Sequence, residues 1–266
     1  MVTQTSTLKR TRWLRATLAA GFVVFASLVG ASLWLKSLFN ERSAERVPSL
    51  AAHLKTKSLV AVFAHPDDEI SVAGFLAEAA QRNGVMVRII TATKGESGHP
   101  RPPICRPEDL GKIREAETLK DGFALGVQEQ EVWTFPDGRL SEVPPEELAA
   151  KIDVRLRKWK PDLVVTFDPG SGFTLHPDHL AIGRATVLAL REMAVQNQET
   201  PPRLLYPLAP RKALTRFGGE IGRTVAARQP APQLLSMYRP ESRCSPGRSN
   251  SRRPILCVIP GDFRRG

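Results

Sequence analysis

SLVAVFAHPDDEI, residues 58–70, joins a short apolar run to a histidine, a proline and three consecutive acids. The apolar part is rich in valine and almost continuous, which is typical of a strand covered on both faces. Such strands build parallel sheets, and the ligands of these sheets bind beyond the carboxyl ends of the strands. The histidine and the acids therefore mark the place where a functional site is expected.

Helix and strand patterns alternate along the chain after this first strand. Apolar spacing predicts helices at 70–84, 110–127, 143–160 and 176–193, and strands at 85–93, 129–135 and 161–168. The alternation predicts an α/β class, a Rossmann-like parallel sheet with helices on both faces, preceded by one N-terminal transmembrane helix. GxGxxG does not follow the first strand and GxxxxGKS/T is absent from the sequence, so neither kind of nucleotide site has its phosphate-binding loop.

Composition limits the classes of partner. The 266 residues, 42% of them hydrophobic, allow one sizeable domain. A formal charge of +11 would suit a nucleic-acid binder. However, residues 1–46 hold seven basic and two acidic side chains and residues 207–266 hold twelve and three, which leaves −3 between them. No nucleic-acid partner is therefore expected. Cys105, Cys244 and Cys257 form no CxxC pair and indicate no disulfide framework.

An uncharged run of twenty residues, 16–35, follows the basic start of the chain at 1–15. About twenty apolar residues cross a bilayer as a helix, and Trp13 and Trp34 bracket the run as interfacial aromatics often do. The run predicts an uncleaved, single-pass signal anchor with a cytoplasmic N-terminus and an extracytoplasmic folded domain. The small residues at 29–31 leave a cleaved signal peptide as the alternative.

Composition divides the remainder into a linker at 36–54, a folded domain at 55–206 and a tail at 207–266. In the tail, arginine, proline, serine and glycine dominate and apolar periodicity fades, which predicts disorder. A basic tail would suit contact with anionic lipid or a polyanion. The alternatives are a solvated tail and a segment read out of frame.

Two polar turns carry the side chains from which chemistry is expected. They contain His65, Asp67 and Asp68 after the first strand, and His176, Asp178 and His179 after the strand at 161–168. Two imidazoles and one carboxylate around a divalent cation suit zinc and leave one position open for water. A further carboxylate can take a proton from that water, while His176 can stabilise a tetrahedral intermediate or protonate a leaving amine. These roles together fit hydrolysis of an amide.

Each turn also has a purely structural interpretation. A single histidine at a strand end can be a hydrogen-bonded core residue, Asp67 or Asp178 can cap a helix, and adjacent acids can complement a helix dipole. The recurrence of two such turns at equivalent ends of one sheet favours a metal hydrolase.

The motifs around these turns resemble the PIG-L deacetylase family, also called LmbE-like. Their order and spacing agree from residue 58 to residue 193. The matching motifs are AHPDDE (64–69), TKGESGH (93–99), an RxxE helix with an LGV ending (Arg114, Glu117, 125–127), FPDG (135–138), PDLVVTFDP (161–169) and HPDH (176–179).

The resemblance implies a zinc-dependent de-N-acetylase acting on small amino-sugar substrates of the N-acetylglucosamine type, including glucosaminyl-inositol, glucosaminyl-malate and phosphatidylinositol conjugates. It implies metal ligands at His65, Asp68 and His179, a general base at Asp67, an oxyanion-stabilising His176 oriented by Asp178, and substrate contacts at Arg114 and Asp137. The last two also fit a solvated helix face and a turn residue. Two histidines and one aspartate accept other divalent metals as well, so zinc is the default rather than fixed.

Two departures from the family pattern are visible. Leu175 stands where the family usually has glycine, which costs backbone freedom. The family continues with further sheet after the second turn, and the basic end shows no such pattern, so one wall of the substrate pocket is expected to be missing. The alternatives are therefore a membrane-tethered, non-catalytic relative that binds anionic surfaces, and an amidase acting on another N-acyl conjugate.

Overall fold

The computed structural model describes residues 4–41, 44–103, 105–196, 201–236 and 255–258. The chain divides into two compact units, which meet in sequence between Asn40 and Glu41. In the first unit, helix α1 (Gln4–Leu38) contains the predicted anchor. Among the described residues, Arg15–Leu38 is the one helical stretch long and apolar enough to span a membrane, by length and composition alone. A signal sequence near the N-terminus meets the same criteria.

The second unit is built around one sheet, which has eight strands within the described residues. They are β1 (Glu45–Val47), β2 (Ser58–Phe63), β3 (Met86–Thr91), β4 (Glu129–Val132), β5 (Leu163–Thr166), β6 (Arg203–Leu208), β7 (Leu234–Ser236) and β8 (Ile255–Val258). Their order is β1-β7-β8-β6-β5-β2-β3-β4. Neighbours run parallel, except that β8 is antiparallel to β6 and β7. The predicted α/β class with a parallel sheet is confirmed.

Helices lie in the segments that connect these strands. They are α2 (Leu50–His53), α3 (Ala73–Arg82), α4 (Leu110–Leu125), α5 (Pro145–Trp159), α6 (Pro177–Gln196), α7 (Arg211–Phe217) and α8 (Gly219–Arg228). The chain passes from β2 to β3 and β4 in one direction, and from β4 to β5 and β6 in the other. Right-handed crossovers therefore put α3 and α4 on one face and α5 and α6 on the other. The reversal falls between β2 and β5.

The reversal lies at the most buried part of the sheet. β2 pairs with β3 on one side and with β5 on the other, and its residues from Leu59 to Phe63 are fully buried. Phe63 packs on Phe167 just beyond β5, with ring centroids 5.1 Å apart. Apolar packing thus holds the two strand ends side by side, and the polar turns follow directly.

The structure corrects the expected segment boundaries at both ends of the domain. The predicted linker at 36–54 contributes β1 and α2, and Leu50, Ala51 and Leu54 are buried in the core. β6, β7 and β8 extend the sheet after the second turn. The expectation that no further sheet follows is therefore wrong.

The predicted disorder of the tail at 207–266 is wrong for α7 and α8. Val225 and Ala226 are buried there, and the Arg211 guanidinium donates to the carbonyl oxygens of Ala226 and Gln229, which joins the two helices. The segment is basic and contains few apolar residues, so the sequence showed no clear helical periodicity there. Residues 237–254 and 259–266 of the predicted tail lie outside the described residues.

Candidate metal centre

The turn after β2 is fixed by its own hydrogen bonds. The Asp68 carboxylate accepts the backbone N–H groups of Ala64 and His65 at 3.1 and 2.8 Å. Asp67 adopts a left-handed φ of 83° just before a short 3₁₀ turn, Asp68–Ser71. As a result Asp68 is buried, whereas the Asp67 side chain is 63% exposed.

Glu69, the third acid, plays a different part from its two neighbours. It is 2% exposed, and neither carboxylate oxygen has a hydrogen-bond partner among the described residues. Burial, together with the negative charges of Asp121, Asp67 and Asp68, raises the pKa of Glu69 to about 7. Of the three consecutive acids, Asp67 is exposed, Asp68 is buried and hydrogen-bonded, and Glu69 is buried with no hydrogen-bond partner for its carboxylate in the described part of the chain.

Three side chains at the strand reversal converge on one point. His65 Nδ1 lies 3.2 Å from His179 Nε2 and 3.6 Å from Asp68 Oδ2, and Asp68 Oδ1 lies 3.1 Å from His179 Nε2. Ligand atoms bound tetrahedrally at about 2.0–2.1 Å from zinc are roughly 3.3–3.4 Å apart. The distances between the two ring nitrogens and from each to the nearer oxygen of Asp68 are therefore close to those around a single zinc ion, and the chemical types of the donors also fit.

Hydrogen bonds on the far side of the His179 ring fix its orientation. Its Nδ1 lies 3.0 Å from the carbonyl oxygen of Gly172 and 3.1 Å from Thr174 Oγ1. The ring also stacks on Phe167, with centroids 4.2 Å apart. Metal-binding histidines usually donate their second ring N–H to such an acceptor, which leaves the other nitrogen free for the metal. Sequence reasoning missed Gly172 and Thr174, whose only signal is their place in the loop before HPDH.

His65 has carboxylates on the far side of its ring. Its Nε2 lies 3.1 Å from Asp178 Oδ2 and 3.3 Å from Asp137 Oδ1. Burial lowers the pKa of His65, but the hydrogen bond to Asp178 and the charges of Asp68, Asp137 and Asp178 outweigh it and raise the pKa overall. A carboxylate behind a histidine ligand fixes the tautomer and makes the ring a better donor to a metal.

The contacts of Asp178 differ from the expected role. Its carboxylate contacts His65 and accepts the Leu140 N–H at 3.0 Å, while only its backbone N–H reaches His176, at Nδ1 and 3.2 Å. Burial opposes ionisation, but the hydrogen bond and charge of His65 lower the pKa of Asp178 overall. The side chain of Asp178 therefore orients His65, and the backbone of Asp178 orients His176.

His176 lies at the exposed side of the cluster, with its ring edge-on to His65 at 4.8 Å between centroids. Burial of part of the ring and the charges of His65 and His179 lower the pKa of His176. Ring nitrogens of these three histidines lie within 4.8 Å of one another. His176 is thus close enough to act on a group bound beside the candidate ligands.

Arg114 of α4 reaches across to the first turn. Its Nη2 donates to Asp67 Oδ2 and to the Pro66 carbonyl oxygen, both at 2.9 Å. A Cβ on Gly95 would lie 2.8 Å from Arg114 Nε, so the loop after β3 needs glycine for this path. Arg114 is therefore held against Asp67 and is not the solvated helix residue of the structural alternative.

Comparisons with known proteins place the sequence in a family. Residues 60–190 match the model of PIG-L, described as GlcNAc-PI de-N-acetylase. A 1D-myo-inositol 2-acetamido-2-deoxy-alpha-D-glucopyranoside deacetylase from Saccharomonospora viridis is 30% identical over 203 residues, covering 65% of this chain and 72% of that protein. The chain belongs to the PIG-L family. The resemblance drawn from the motifs is confirmed.

Other PIG-L relatives are covered less fully. A deacetylase of the same name from Kineococcus radiotolerans is 32% identical over 58% of this chain and 51% of its own length. A probable N-acetyl-alpha-D-glucosaminyl L-malate deacetylase 2 from Bacillus anthracis is 34% identical over 54% of this chain and 64% of its own length. The chain spans about half to two thirds of these two relatives.

The fold is similar to that of a solved structure. N,N'-diacetylchitobiose deacetylase from Pyrococcus horikoshii superposes with a TM-score of 0.52 at 20% identity, covering 68% of this chain and 74% of that one. At this identity the likeness concerns the fold alone.

Proposed function

We propose that this PIG-L protein is a zinc-dependent hydrolase that removes the acetyl group from an N-acetylglucosamine-type substrate, such as a glycosyl-inositol or a related amino sugar. The observation that carries the proposal is the approach of His65, Asp68 and His179, whose nearest donor atoms lie 3.2, 3.6 and 3.1 Å apart in the three pairs, with Asp68 contributing Oδ2 toward His65 and Oδ1 toward His179. The names of the Saccharomonospora viridis and Bacillus anthracis relatives support the substrate class.

His65, Asp68 and His179 would hold the metal, which supplies a Lewis acid for water and for the acetyl carbonyl. Asp67 accepts the proton of the attacking water on its exposed carboxylate, and Arg114, 2.9 Å from Oδ2, keeps that carboxylate in place. The proton then passes from Asp67 to the amide nitrogen as the C–N bond breaks. The products are acetate and the free amine, with one water consumed.

His176 supplies the charge stabilisation in this scheme. Its Nδ1 accepts the Asp178 N–H, so the neutral ring carries its proton on Nε2. Nε2–H is then the donor available to the oxyanion that forms when water attacks the acetyl carbonyl. The backbone contact fixes the ring without engaging that donor.

The test measures bound metal and acetate release on the same full-length protein, purified in detergent without chelator. We expect about one zinc per chain, and release of acetate from N-acetylglucosamine or its inositol conjugate that a chelator abolishes and zinc restores. Asp67→Asn should lower kcat by about 10²–10⁴-fold while zinc is retained. His179→Ala should lose both zinc and activity.

Asp109→Asn is the matched control, since the Asp109 carboxylate pairs with Arg106 and is not one of the candidate ligands. It should leave zinc content and kcat unchanged. Acetate release that survives full removal of metal, or loss of zinc from Asp67→Asn and His179→Ala alike, would contradict the proposed roles.

We also propose that α1 anchors the protein in a membrane with residues 16–35 as the span, the N-terminus in the cytoplasm and the second unit outside. Support comes from the uncharged run and the basic residues before it. N-terminal sequencing and alkaline extraction of membranes test this proposal. An intact N-terminus in the alkali-resistant fraction is expected, whereas a start after residue 31 would show a cleaved signal peptide.

A further inference from the structure

Asp137 is enclosed by the protein rather than presented to a ligand. Its side chain is 9% exposed. Oδ2 accepts the Ser97 N–H at 2.8 Å, and Oδ1 lies 3.4 Å from Thr93 Oγ1 and 3.3 Å from His65 Nε2. Both carboxylate oxygens are therefore engaged with other residues, which is unlike the substrate contact that the resemblance implies.

Asp137 also ties two loops together through its backbone. Its N–H donates to Glu96 Oε1 at 3.0 Å, and its carbonyl oxygen accepts the Ser97 hydroxyl at 2.9 Å. Three hydrogen bonds thus join the turn after β4 to the loop after β3. A carboxylate fixed in this way has little freedom to move toward a sugar.

His65 Nε2 faces two carboxylates at once, those of Asp137 and Asp178. A neutral His65 that binds a metal through Nδ1 carries one proton on Nε2. That N–H can donate to either carboxylate, since Asp178 Oδ2 and Asp137 Oδ1 lie 3.1 and 3.3 Å from the same nitrogen. The two acids therefore act on the same atom of the same candidate ligand.

We propose that Asp137 is a positioning residue of the metal centre: with Asp178 it holds the Nε2 proton of His65, and it fixes that ligand to the loop after β3. This inference rests on the proposed zinc-dependent activity. A carboxylate that supports a histidine ligand typically contributes about 10–100-fold to metal affinity or activity.

The experiment compares full-length wild type with Asp137→Asn in two measurements, zinc affinity by chelator competition and steady-state kinetics with zinc saturating. Asparagine keeps the size of the side chain and an acceptor for the Ser97 N–H but removes the charge. We expect zinc affinity to fall by about 10–100-fold and kcat to fall with it, while KM stays within about twofold. Unchanged zinc affinity with a raised KM would overturn the inference and show a sugar contact.

Two further variants separate positioning from damage to the turn. Asp137→Ala lacks both the charge and the Ser97 acceptor, and we expect a loss of zinc affinity similar to that of asparagine. A loss confined to alanine would assign the effect to the turn and overturn the inference. Asp109→Asn, the same change on an aspartate bonded to Arg106, should leave zinc affinity unchanged.

A double-mutant cycle with Asp178→Asn supplies a readout that simple destabilisation does not move. Because both carboxylates act on one proton, the two losses of zinc affinity should not add, and the cycle should show coupling. Additive losses would overturn the shared role. If wild type binds no zinc at all, the proposed function fails and the inference fails with it, whereas zinc binding that Asp137→Asn leaves intact refutes the inference alone.

Discussion

Leu175 adopts a backbone conformation that glycine accepts more readily. Its φ is 64°, in the left-handed region, directly before His176. There the Cβ of an L-residue crowds the carbonyl oxygen, which costs roughly 1–2 kcal/mol. The expected cost of a non-glycine residue before HPDH thus has a structural cause. The strain lies in the loop that also supplies Gly172 and Thr174 to His179.

Replacing Leu175 by alanine and by glycine should reveal this strain. Both variants lose the leucine side chain, but only alanine keeps the Cβ. We expect Leu175→Gly to be more stable than Leu175→Ala by about 1 kcal/mol in urea or thermal unfolding. At Leu188 in α6 the same pair should show the reverse order, since glycine destabilises a helix interior by about 0.5–1 kcal/mol relative to alanine. Glycine being the less stable variant at both positions would contradict the assignment.

At the scale of elements, a small polar network joins α2 to α3. Ser49 caps α2 by accepting the Ala52 N–H at 3.1 Å, and its hydroxyl also accepts from Asn83 Nδ2 at 2.8 Å. Asn83 donates to Glu78 Oε1 at 3.3 Å, while Glu78 Oε2 is buried without a partner among the described residues. Glu78 is only 2% exposed. Burial raises its pKa above the usual value, and the bonds to Ser49 and Asn83 only partly oppose this.

The raised pKa makes the stability of this junction depend on pH. A carboxyl whose pKa is raised on folding favours the protonated form in the folded state, so its contribution is present at low pH. That contribution is lost as pH rises from the unfolded value of about 4.5 through the folded value. Glu78→Gln should therefore resemble wild type at pH 4 and become the more stable protein at pH 8, as measured by Tm. Glu108→Gln, at an exposed acid, should show no such trend with pH, and a constant difference for Glu78→Gln would refute the cause.

The elements that the sequence predicted are those with local signals. β2 to β5 and α3 to α6 have continuous apolar runs or helical spacing, and α4 ends where Gly126 takes a φ of 82°. β1 was missed because three residues acquire strand structure only by pairing with β7, almost two hundred positions away. Elements of this kind depend on distant partners and leave little trace in a short window of sequence.

The candidate site was also predictable only where the signal is local in sequence. The sequence identified two polar turns with six candidate residues, and in the structure His65, Asp68 and His179 lie together. The partners of those residues were less accessible to sequence reasoning. The contact between His65 and Asp178 joins positions 113 apart in the chain. It depends on the position of the first turn of α6, which contains Asp178, relative to the end of β2. The family resemblance implied that Asp178 orients His176, and it gave no sign of the contact between the Asp178 carboxylate and His65.

At the scale of the whole molecule, the candidate ligands connect the two halves of the sheet. His65 and Asp68 belong to the half that runs from β2 to β4, and His179 lies in α6, between β5 and β6. The two turns approach each other because β2 pairs with β5. A cation bound to all three ligands would add a cross-link at the reversal that the unfolded chain lacks.

Removal of zinc should consequently lower the stability of the second unit. An ion that binds only the folded state adds about 2.7 kcal/mol when its free concentration is one hundred times Kd. For a protein of this size that corresponds to roughly 5–10 °C in Tm. We expect a chelator to lower the Tm of full-length protein in detergent by about this amount, and added zinc to restore it.

Asp68→Asn separates this effect from general action of the chelator, because it removes one candidate ligand charge while asparagine can still accept from the Ala64 and His65 N–H groups. Its Tm should be insensitive to zinc and to chelator alike. Asp109 pairs with Arg106, and the Tm of Asp109→Asn should respond to zinc and to chelator as that of wild type does. A wild-type Tm that does not move between chelator and saturating zinc would mean that the two turns do not share an ion. The approach of His65, Asp68 and His179 would then be explained by hydrogen bonding at the strand reversal alone.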